Sequence, residues 1–402
     1  MVNQLVCGTL ISKGIDVIDL DLSTTPTVEM VVVKEKAAGG IILTASHNPK
    51  QWNALKLLNA EGEFISAEQG AAIIDKVKSS DFQYNEIDSI GSYELMEGTI
   101  DWHIDEIIKL SMVDVNAISK RNFTIAVDAV NSTGGIAVPA LLRKLGVQNV
   151  IEIYCEPTGK FPHNPEPLPE HLNDLSDTVL KNNADLGITV DPDVDRLAFV
   201  SENGDMFGEE YTLVAVADYV LSQKKGNTVS NLSSTRALKV ITEKHGASYA
   251  ASAVGEVNVV KMMKETDAII GGEGNGGIIL PELHYGRDAL VGIALFLSHL
   301  AKCGKPMSHL KASYPTFIIS KNKIELTPEI DVDSILTQLQ EKYKKQPINT
   351  IDGVKIEFDE EWVHLRKSNT EPIIRIYAEG STMRVADSLA NKIKSDIKEM
   401  IS

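Results

Sequence analysis

Residues 185–200 read DLGITVDPDVDRLAFV, an acidic turn between two apolar runs. Short apolar runs bounded by turn residues are typical of buried strands, so we predict strands at 185–190 and 197–200. Further strands of this kind are predicted at residues 40–43, 124–128, 228–232, 248–253 and 268–270. Helices predicted at 136–145, 235–245, 255–265 and 288–302 alternate with them. Strands that alternate with helices of this length are typical of an α/β fold with parallel sheets.

The pattern changes after Tyr314. Strands in which apolar and polar residues mostly alternate are predicted at 316–326, 354–358, 362–365 and 373–377, with helices near 332–346 and 383–400. This mixture indicates a smaller α+β domain at the carboxyl end. We place domain boundaries near residues 98, 204 and 313, which predicts domains at 1–98, 99–204, 205–313 and 314–402.

The composition is that of a folded globular protein, with 402 residues of which 43% are hydrophobic and 24% are charged. The formal net charge of −17 disfavours nonspecific binding to nucleic acid or to anionic membranes, so we expect neither as a partner. An anionic ligand would therefore need a local cluster of positive charge. The three cysteines are far apart and form no CxxC pair, so we expect a reduced, cytoplasmic protein.

The acidic turn is a candidate metal site. Asp191, Asp193 and Asp195 would repel one another without a cation, and their hard oxygen ligands suit Mg²⁺. A calcium-binding helix–loop–helix is rejected because Arg196 replaces the required glycine and strands flank the turn. A phosphatase of the haloacid dehalogenase type, with Asp191 as nucleophile, stays an alternative that leaves the other polar loops unexplained. A merely solvated acidic turn is the remaining alternative.

A second polar loop, residues 44–49, reads TASHNP and follows the predicted strand at 40–43. A hydroxyl at the carboxyl end of a parallel strand lies where sheets of this kind bind ligands. Ser46 is therefore a candidate catalytic residue. The alternative is an ordinary turn, because Ser and Asn-Pro are common turn formers.

Two more loops carry polar side chains suited to a phosphosugar. Residues 271–277 read GGEGNGG, in which Glu273 and Asn275 can hydrogen-bond to hydroxyl groups while the glycines allow close approach of the backbone. Residues 366–372 read RKSNTEP, with Arg375 shortly after, and this cluster could bind a phosphate. Taken alone, the first loop is a weak signal and the second could be a polar hairpin. The four loops fall one in each predicted domain.

Nucleophile, metal ligands, hydroxyl-binding groups and phosphate-binding groups are the components of phosphoryl transfer on a phosphosugar. With TASHNP at 44–49 and DPDVDR at 191–196, the chain resembles the α-D-phosphohexomutase superfamily. The resemblance covers essentially the whole chain and includes all four loops in order. It implies three similar, mixed or parallel α/β/α domains and a smaller, mobile C-terminal α+β domain around a central cleft.

The resemblance also implies a role for each polar residue of these loops. Ser46 would be the phosphorylated catalytic serine, and its phosphate would hold one Mg²⁺ together with Asp191, Asp193 and Asp195. Lys56 would be an acid/base or positioning group, and Arg196 would neutralise charge beside the metal. The substrate-binding residues would be His47, Glu273, Asn275, Arg366, Ser368, Asn369, Thr370 and Arg375.

The implied activity is an isomerase that interconverts 6-phospho and 1-phospho hexoses, as a monomer or homodimer, with a sugar 1,6-bisphosphate as intermediate and activator. Asn275 and Gly277 stand where the family often has Ser and His, which favours glucosamine phosphate over mannose or glucose phosphate. Met1 lies beyond the strand and arginine-bearing segment with which the family usually begins. We therefore expect an incomplete first domain, and a catalytically impaired phosphosugar-binding protein stays an alternative.

Overall fold

The structure is a computed structural model that describes residues 1–48, 51–79, 82–325, 331–367 and 373–401. Its described strands form two short sheets near the amino end, two four-stranded sheets in the middle of the chain and a five-stranded sheet at the carboxyl end. Helices pack against these sheets, which confirms the predicted α/β fold.

The first unit has two two-stranded sheets. Its elements are α1 (Val2–Ser12), β1 (Val17–Asp19), α2 (Thr25–Lys34), β2 (Gly40–Leu43), β3 (Leu55–Leu58), α3 (Ala67–Ser79) and β4 (Tyr93–Leu95). β1 pairs in parallel with β4, and β2 pairs antiparallel with β3. β2 confirms the strand predicted at 40–43. The side chain of Thr24 accepts a hydrogen bond from the Thr27 N–H, and Pro26 lies in the first turn, which fixes the start of α2.

The second and third units repeat one topology. The second contains α4 (Thr99–Lys109), α5 (Val115–Arg121), β5 (Thr124–Asp128), α6 (Gly134–Lys144), β6 (Asn149–Ile153), α7 (Asn173–Asn182), β7 (Leu186–Val190) and β8 (Leu197–Ser201). The third contains α8 (Glu209–Gln223), β9 (Asn227–Asn231), α9 (Ala237–Lys244), β10 (Tyr249–Ser252), α10 (Glu256–Glu265), β11 (Ala268–Glu273), β12 (Gly277–Ile279), α11 (Ala289–Cys303) and α12 (Met307–Lys311). The strand orders are β6-β5-β7-β8 and β10-β9-β11-β12, each with an antiparallel last pair.

The carboxyl-terminal unit is an antiparallel sheet covered by two helices. It contains β13 (Ile318–Glu325), α13 (Val332–Lys342), β14 (Ile348–Asn349), β15 (Val354–Glu357), β16 (Trp362–Lys367), β17 (Ile373–Gly380) and α14 (Met383–Ile401). Its strand order is β13-β17-β16-β15-β14. Leu339 of α13 and Ile393 of α14 are buried with Ile376 of β17 in one apolar core. The predicted α+β character of this unit is confirmed.

One hydrophobic core joins the second and third units. α11 lies within it and contacts α4, α5, α6 and α8. The rings of Phe199 on β8 and Phe296 on α11 stack with their centroids 4.0 Å apart, and Phe207 packs edge-on against both. Because packed interiors resist displacement, this core fixes the turn after β7 relative to the turn after β11.

Across the described ranges, no helix combines the length and the apolar character needed to cross a membrane. The three cysteines, Cys7, Cys155 and Cys303, are free thiols.

Candidate active site

Three polar loops meet where their strands end. The serine loop follows β2, the acidic turn follows β7, and the glycine-rich turn joins β11 to β12. The Ser46 hydroxyl reaches Asp191 at 2.8 Å, and the Leu197 N–H donates to the Gly276 carbonyl at 3.2 Å. Ligands of α/β sheets bind outside the carboxyl ends of the strands, which is where these loops lie.

Ser46 lies in a strained turn and faces the acidic turn. Its φ of 50° is in the left-handed region, which residues other than glycine rarely adopt. Its backbone N–H donates to Thr44 Oγ1 at 2.9 Å, and its hydroxyl donates to Asp191 Oδ2 at 2.8 Å. The predicted nucleophile and a predicted metal ligand are thus in direct contact.

His47 contacts the same hydroxyl. Its Nδ1 lies 3.2 Å from Ser46 Oγ. Burial and the nearby Arg196 guanidinium lower the pKa of His47 to about 4, so the ring is neutral near neutral pH. A neutral imidazole has one nitrogen that donates and one that accepts. His47 therefore lies beside the candidate nucleophile and can exchange a proton with it.

The three aspartates of the acidic turn are buried, and none is more than 4% exposed. Asp191 Oδ1 accepts hydrogen bonds from the N–H groups of Asp195 and Arg196, both at 3.1 Å. Burial raises the pKa of Asp191 well above its usual value, and the neighbouring carboxylates of Asp195 and Asp193 raise it further. Among the described residues, Asp193 Oδ1 and Asp195 Oδ1 have no hydrogen-bond partner.

These carboxylates fit a divalent cation. Each of the three aspartates offers an oxygen within 4.8 Å of the oxygens of the other two. A buried carboxylate oxygen without a partner is energetically costly, and hard oxygen ligands are those that Mg²⁺ prefers. Five buried carboxylates lie here around three cationic side chains, namely Asp191, Asp193, Asp195, Glu256 and Glu273 around Lys56, Arg196 and Arg287. This excess of negative charge also favours a bound cation.

Lys56 lies on β3 and bridges two aspartates of the acidic turn. Its Nζ is 2.5 Å from Asp193 Oδ2 and 2.9 Å from Asp195 Oδ2. Burial would lower the pKa of Lys56, but the Asp195 and Asp193 carboxylates outweigh it and raise that pKa above its usual value. The ammonium therefore stays charged, which favours a positioning role. The Arg196 guanidinium points to Glu166 Oε1, at 3.3 Å.

Glu273 is the last residue of β11 and is 5% exposed. Its Oε1 accepts hydrogen bonds from Asn231 Nδ2 at 2.9 Å and from the Gly255 N–H at 3.1 Å. Its Oε2 pairs with a terminal guanidinium nitrogen of Arg287 at 2.9 Å. The carboxylate is thus held from two sides, and oxygens of this kind can still accept a hydrogen bond from a sugar hydroxyl.

Asn275 shapes the glycine-rich turn. Its Oδ1 accepts a hydrogen bond from the Gly277 N–H at 3.2 Å. Gly276 has a φ of 85°, and a Cβ there would lie 2.1 Å from the Leu197 carbonyl oxygen. Glycine is therefore needed at 276, because the turn packs directly against the start of β8.

The basic loop is described only at its two edges. Ser368, Asn369 and Thr370, predicted to bind phosphate, lie outside the described residues. Arg366 on β16 and Arg375 on β17 are paired directly across the sheet. Cross-strand partners lie on the same face, where like charges repel each other. A phosphate bound beside the pair would relieve this repulsion.

The carboxyl-terminal unit docks on the loop that follows β9. Lys355 Nζ donates to the Leu232 carbonyl at 2.9 Å, and the Ser233 hydroxyl lies 2.9 Å from His364 Nδ1. Asn231, which holds Glu273, is the last residue of β9 and directly precedes these two residues. The candidate sugar-binding carboxylate and the sheet with the arginine pair are therefore connected through residues 231–233.

Sequence reasoning missed four residues of this site. Thr25 Oγ1 donates to Asp193 Oδ2 at 2.5 Å, and Arg287 contacts Asp195 at 2.7 Å. Glu256 and Asn231 complete the contacts around Arg287 and Glu273. The Thr-Thr-Pro start of α2 is a visible helix-start signal, but it does not indicate a contact with the acidic turn. No local pattern marks the other three.

Four family models match the chain in order. They are described as the phosphoglucomutase/phosphomannomutase alpha/beta/alpha domains I, II and III and the phosphoglucomutase/phosphomannomutase C-terminal domain. They match residues 1–84, 101–204, 208–317 and 324–395 respectively. Each of the four polar loops lies within one of these matches.

Curated relatives align with nearly all of the chain. The phosphoglucomutase/phosphomannomutase of Thermococcus kodakarensis is 36% identical over 389 residues, which cover 95% of this chain and 83% of the relative. The phosphoglucosamine/phosphogalactosamine mutase of Sulfurisphaera tokodaii is 31% identical over 405 residues, which cover 99% of this chain and 88% of the relative. Both identities extend across all four units of the fold.

The solved structure of a phosphoglucomutase/phosphomannomutase family protein from Burkholderia thailandensis has a similar fold. Its TM-score is 0.83 at 24% identity, and the match covers 99% of this chain and 85% of that chain. This likeness concerns the fold alone. The family models and the sequence relatives show that the chain belongs to the phosphoglucomutase/phosphomannomutase family of α-D-phosphohexomutases, which are isomerases.

Proposed function

We propose that the chain interconverts 6-phospho and 1-phospho hexoses through a phosphoserine at Ser46 and a sugar 1,6-bisphosphate. The observation that carries this proposal is the 2.8 Å hydrogen bond from Ser46 Oγ to Asp191 Oδ2, beside two buried carboxylate oxygens without a described partner. A phosphate on Ser46 would add a charge of about −1.5 to −2 next to the aspartates. Such an arrangement is suited to a phosphoryl group that is held by a metal and passed on.

Mg²⁺ fits the site as a cofactor, held by Asp191, Asp193, Asp195 and the phosphate of Ser46. When bound, it would offset the phosphoryl charge and make the phosphorus more open to attack. In the transfer, the bond between phosphorus and Ser46 Oγ breaks as a bond to the sugar hydroxyl oxygen forms. The proton lost by the hydroxyl is gained by Ser46 Oγ, and the neutral His47 ring at 3.2 Å is placed to carry it.

The sugar is recognised at two places in this proposal. Glu273, and Asn275 in the adjacent turn, hydrogen-bond to its hydroxyl groups. Arg366, Ser368, Asn369, Thr370 and Arg375 bind the phosphate that does not react. After the first transfer the bisphosphate turns around, and Ser46 recovers a phosphate from the other end of the sugar. The same phosphate-binding loop therefore has to accept either end, which a hinged carboxyl-terminal domain would allow.

Glucosamine phosphate is the preferred substrate in this proposal. The glycine-rich turn, with Asn275 and Gly277, supports it, as does the similarity to the phosphoglucosamine/phosphogalactosamine mutase of Sulfurisphaera tokodaii. Mannose and glucose phosphates are the alternative, which the 36% identity to the Thermococcus kodakarensis protein favours. The three free cysteines and the net charge of −17 support a cytoplasmic enzyme, and we propose a monomer or homodimer.

Turnover assays test the proposed function directly. Glucosamine, mannose and glucose phosphates would be compared side by side with Mg²⁺ and the matching 1,6-bisphosphate. We expect turnover of glucosamine phosphate to be fastest, and Ser46→Ala to lower kcat by roughly 10⁴-fold or more because the nucleophile is lost. The exposed Ser395→Ala on α14 is the matched control and should keep the wild-type rate. Full activity of Ser46→Ala would contradict the proposal.

A further inference from the structure

Arg287 joins three segments of the chain through one guanidinium group. Its two terminal nitrogens lie 2.7 Å from Asp195 Oδ2 and 2.9 Å from Glu273 Oε2. Its Nε lies 2.8 Å from Glu256 Oε2. Asp195 belongs to the acidic turn, Glu273 ends the strand before the glycine-rich turn, and Glu256 is the first residue of α10. The candidate metal ligand and the candidate sugar-binding carboxylate therefore share one cation.

All four side chains of this cluster are shielded from water. Arg287 is 11% exposed, while Asp195, Glu256 and Glu273 are 0%, 6% and 7% exposed in their side chains. A guanidinium is planar and offers its N–H groups in fixed directions. Water cannot readily replace any of these partners. When one carboxylate moves or its charge is taken up by another cation, the Arg287 guanidinium therefore moves as well, or interacts with the other two carboxylates with a different strength.

The partners of Asp195 show how a cation would act on Arg287. Asp195 Oδ2 pairs with Arg287 and with Lys56, while Asp195 Oδ1 has no described partner. A divalent cation bound through the acidic turn would take up part of the charge of Asp195. The guanidinium of Arg287 would then interact more strongly with Glu273, 2.9 Å away, and hold that carboxylate in place for sugar hydroxyls.

Two other contacts near Arg287 do not depend on its side chain. The Leu197 N–H donates to the Gly276 carbonyl, a backbone bond that a change at position 287 does not remove. Lys56 also contacts Asp195, but its second partner is Asp193, in the same acidic turn. Among the described residues, the ion-paired side chains that connect the acidic turn to Glu273 do so through Arg287.

We propose that Arg287 is a positioning residue that couples metal binding at the acidic turn to sugar binding at Glu273. This inference rests on the proposed function. Mg²⁺ strengthens the binding of the phosphosugar, and the phosphosugar strengthens the binding of Mg²⁺ by the same factor, because coupling between two ligands is reciprocal. Arg287 therefore favours the state in which Mg²⁺ and the phosphosugar are bound together.

Binding measurements on the dephosphorylated protein, which cannot turn over the sugar, test the coupling. The affinity for glucosamine 6-phosphate is measured by calorimetry with saturating Mg²⁺ and with EDTA. The affinity for Mn²⁺ is measured by electron paramagnetic resonance with and without the sugar phosphate. In the wild type we expect the two factors to be equal and to lie between about 5-fold and 150-fold.

Arg287→Lys should reduce the coupling factor to about 1, because one ammonium cannot hold three carboxylates in fixed directions. Mn²⁺ and the sugar phosphate should each still bind. Glu256→Gln leaves the pairs of Arg287 with Asp195 and Glu273 in place and should keep a coupling factor clearly above 1. Arg143→Lys, in the exposed pair with Glu152, is the surface control. A role of Arg287 in folding alone would change stability and leave the coupling unchanged.

The possible outcomes separate this inference from the proposed function. Wild-type coupling in folded Arg287→Lys, or independent binding of the two ligands in the wild type, would overturn the inference and leave the proposed function standing. If no sugar phosphate binds under any condition, both are contradicted. If Arg287→Lys fails to fold, the double variant Glu256→Gln/Arg287→Met removes one charge of each sign, and it too should lose the coupling.

Discussion

The Ser46 hydroxyl donates a 2.8 Å hydrogen bond to Asp191 Oδ2, although the two residues are 145 positions apart. The contact joins the loop after β2 to the turn after β7, and so joins the first unit to the second. A second contact fixes the same two units, because the Thr25 N–H donates to the Asp193 carbonyl at 2.9 Å. The position of the candidate nucleophile therefore depends on packing between units.

Asp193→Asn should weaken metal binding by at least about 10-fold, because one of three negative oxygen ligands becomes a neutral amide. In the wild type, Mg²⁺ at 100 times its dissociation constant should stabilise the fold by about 2.7 kcal/mol. Thermal unfolding with Mg²⁺ and with EDTA measures the difference. Asp177→Asn, in an exposed pair with Lys181, is the control and should respond to Mg²⁺ as the wild type does. An equal Mg²⁺ response in Asp193→Asn would contradict the assignment of the metal ligands.

Lys56→Met should lower the free energy of unfolding by about 3 kcal/mol without metal, because the buried Asp193 and Asp195 lose their shared cation. Saturating Mg²⁺ should recover part of this loss, since the metal takes over the charge. Urea unfolding in EDTA and in Mg²⁺ measures both values. Lys109→Met, in an exposed pair with Glu106, should change the free energy by less than about 1 kcal/mol. A loss that Mg²⁺ does not reduce would argue against a common cation site.

Stability should fall between about pH 6.5 and pH 10 because of His284. Burial would lower the pKa of His284, but the carboxylates of Asp288, at 3.3 Å, and Glu29, at 3.4 Å, outweigh it and raise that pKa to about 10. The raised pKa means that protonated His284 stabilises the fold fully below the unfolded pKa, about 6.5, and that this stability is lost as the pH rises toward 10. The loss should be on the order of 5 kcal/mol, at about 1.4 kcal/mol for each pH unit between the two pKa values.

Urea unfolding of the wild type and of His284→Gln across this pH range measures the effect. The variant should show a flatter dependence of the free energy of unfolding on pH, because it cannot release that proton. His171→Gln, on the partly exposed turn before α7, is the control and should follow the wild type. Parallel curves for wild type and His284→Gln would mean that another group causes the dependence.

Arg366→Gln should raise KM for the sugar phosphate by roughly 10-fold to 100-fold and change kcat less. Arg366 faces Arg375 across the sheet, and a hydrogen bond between a guanidinium and a phosphate contributes about 1.5–3 kcal/mol. Steady-state kinetics give both constants. The exposed Arg384→Gln on α14 controls for general loss of positive charge. An unchanged KM in Arg366→Gln would place the phosphate-binding groups elsewhere.

The elements that could be predicted are those marked by a pattern of neighbouring residues in the sequence. The acidic turn was predictable as a turn because Asp and Pro residues separate two short apolar runs there. β2, β5 and β7 were predictable because each is a short apolar run next to a turn. No helix was predicted at 209–223, because the buried residues of α8 lie on all sides of the helix and give no single apolar face.

Contacts between distant segments were not predictable. Arg287 pairs with Asp195 across 92 positions, and Thr25 contacts Asp193 across 168. The residues around Arg287 are those expected before an ordinary apolar helix, and they do not mark this arginine as part of a site. Helix α13 ends at Lys342, although the helix was predicted to reach residue 346, and this difference lies at an element boundary, where helix ends fray.

The central claim is that Ser46 carries the transferred phosphate, and peptide mapping by mass spectrometry tests it most directly. The wild type would be incubated with Mg²⁺ and glucosamine 1,6-bisphosphate, digested and searched for phosphorylated residues. We predict phosphate on Ser46, lost again when glucosamine 6-phosphate is added in excess, and no transferable phosphate in Ser46→Ala. A phosphoaspartate at Asp191, or net release of inorganic phosphate with Ser46 unmodified, would contradict the account.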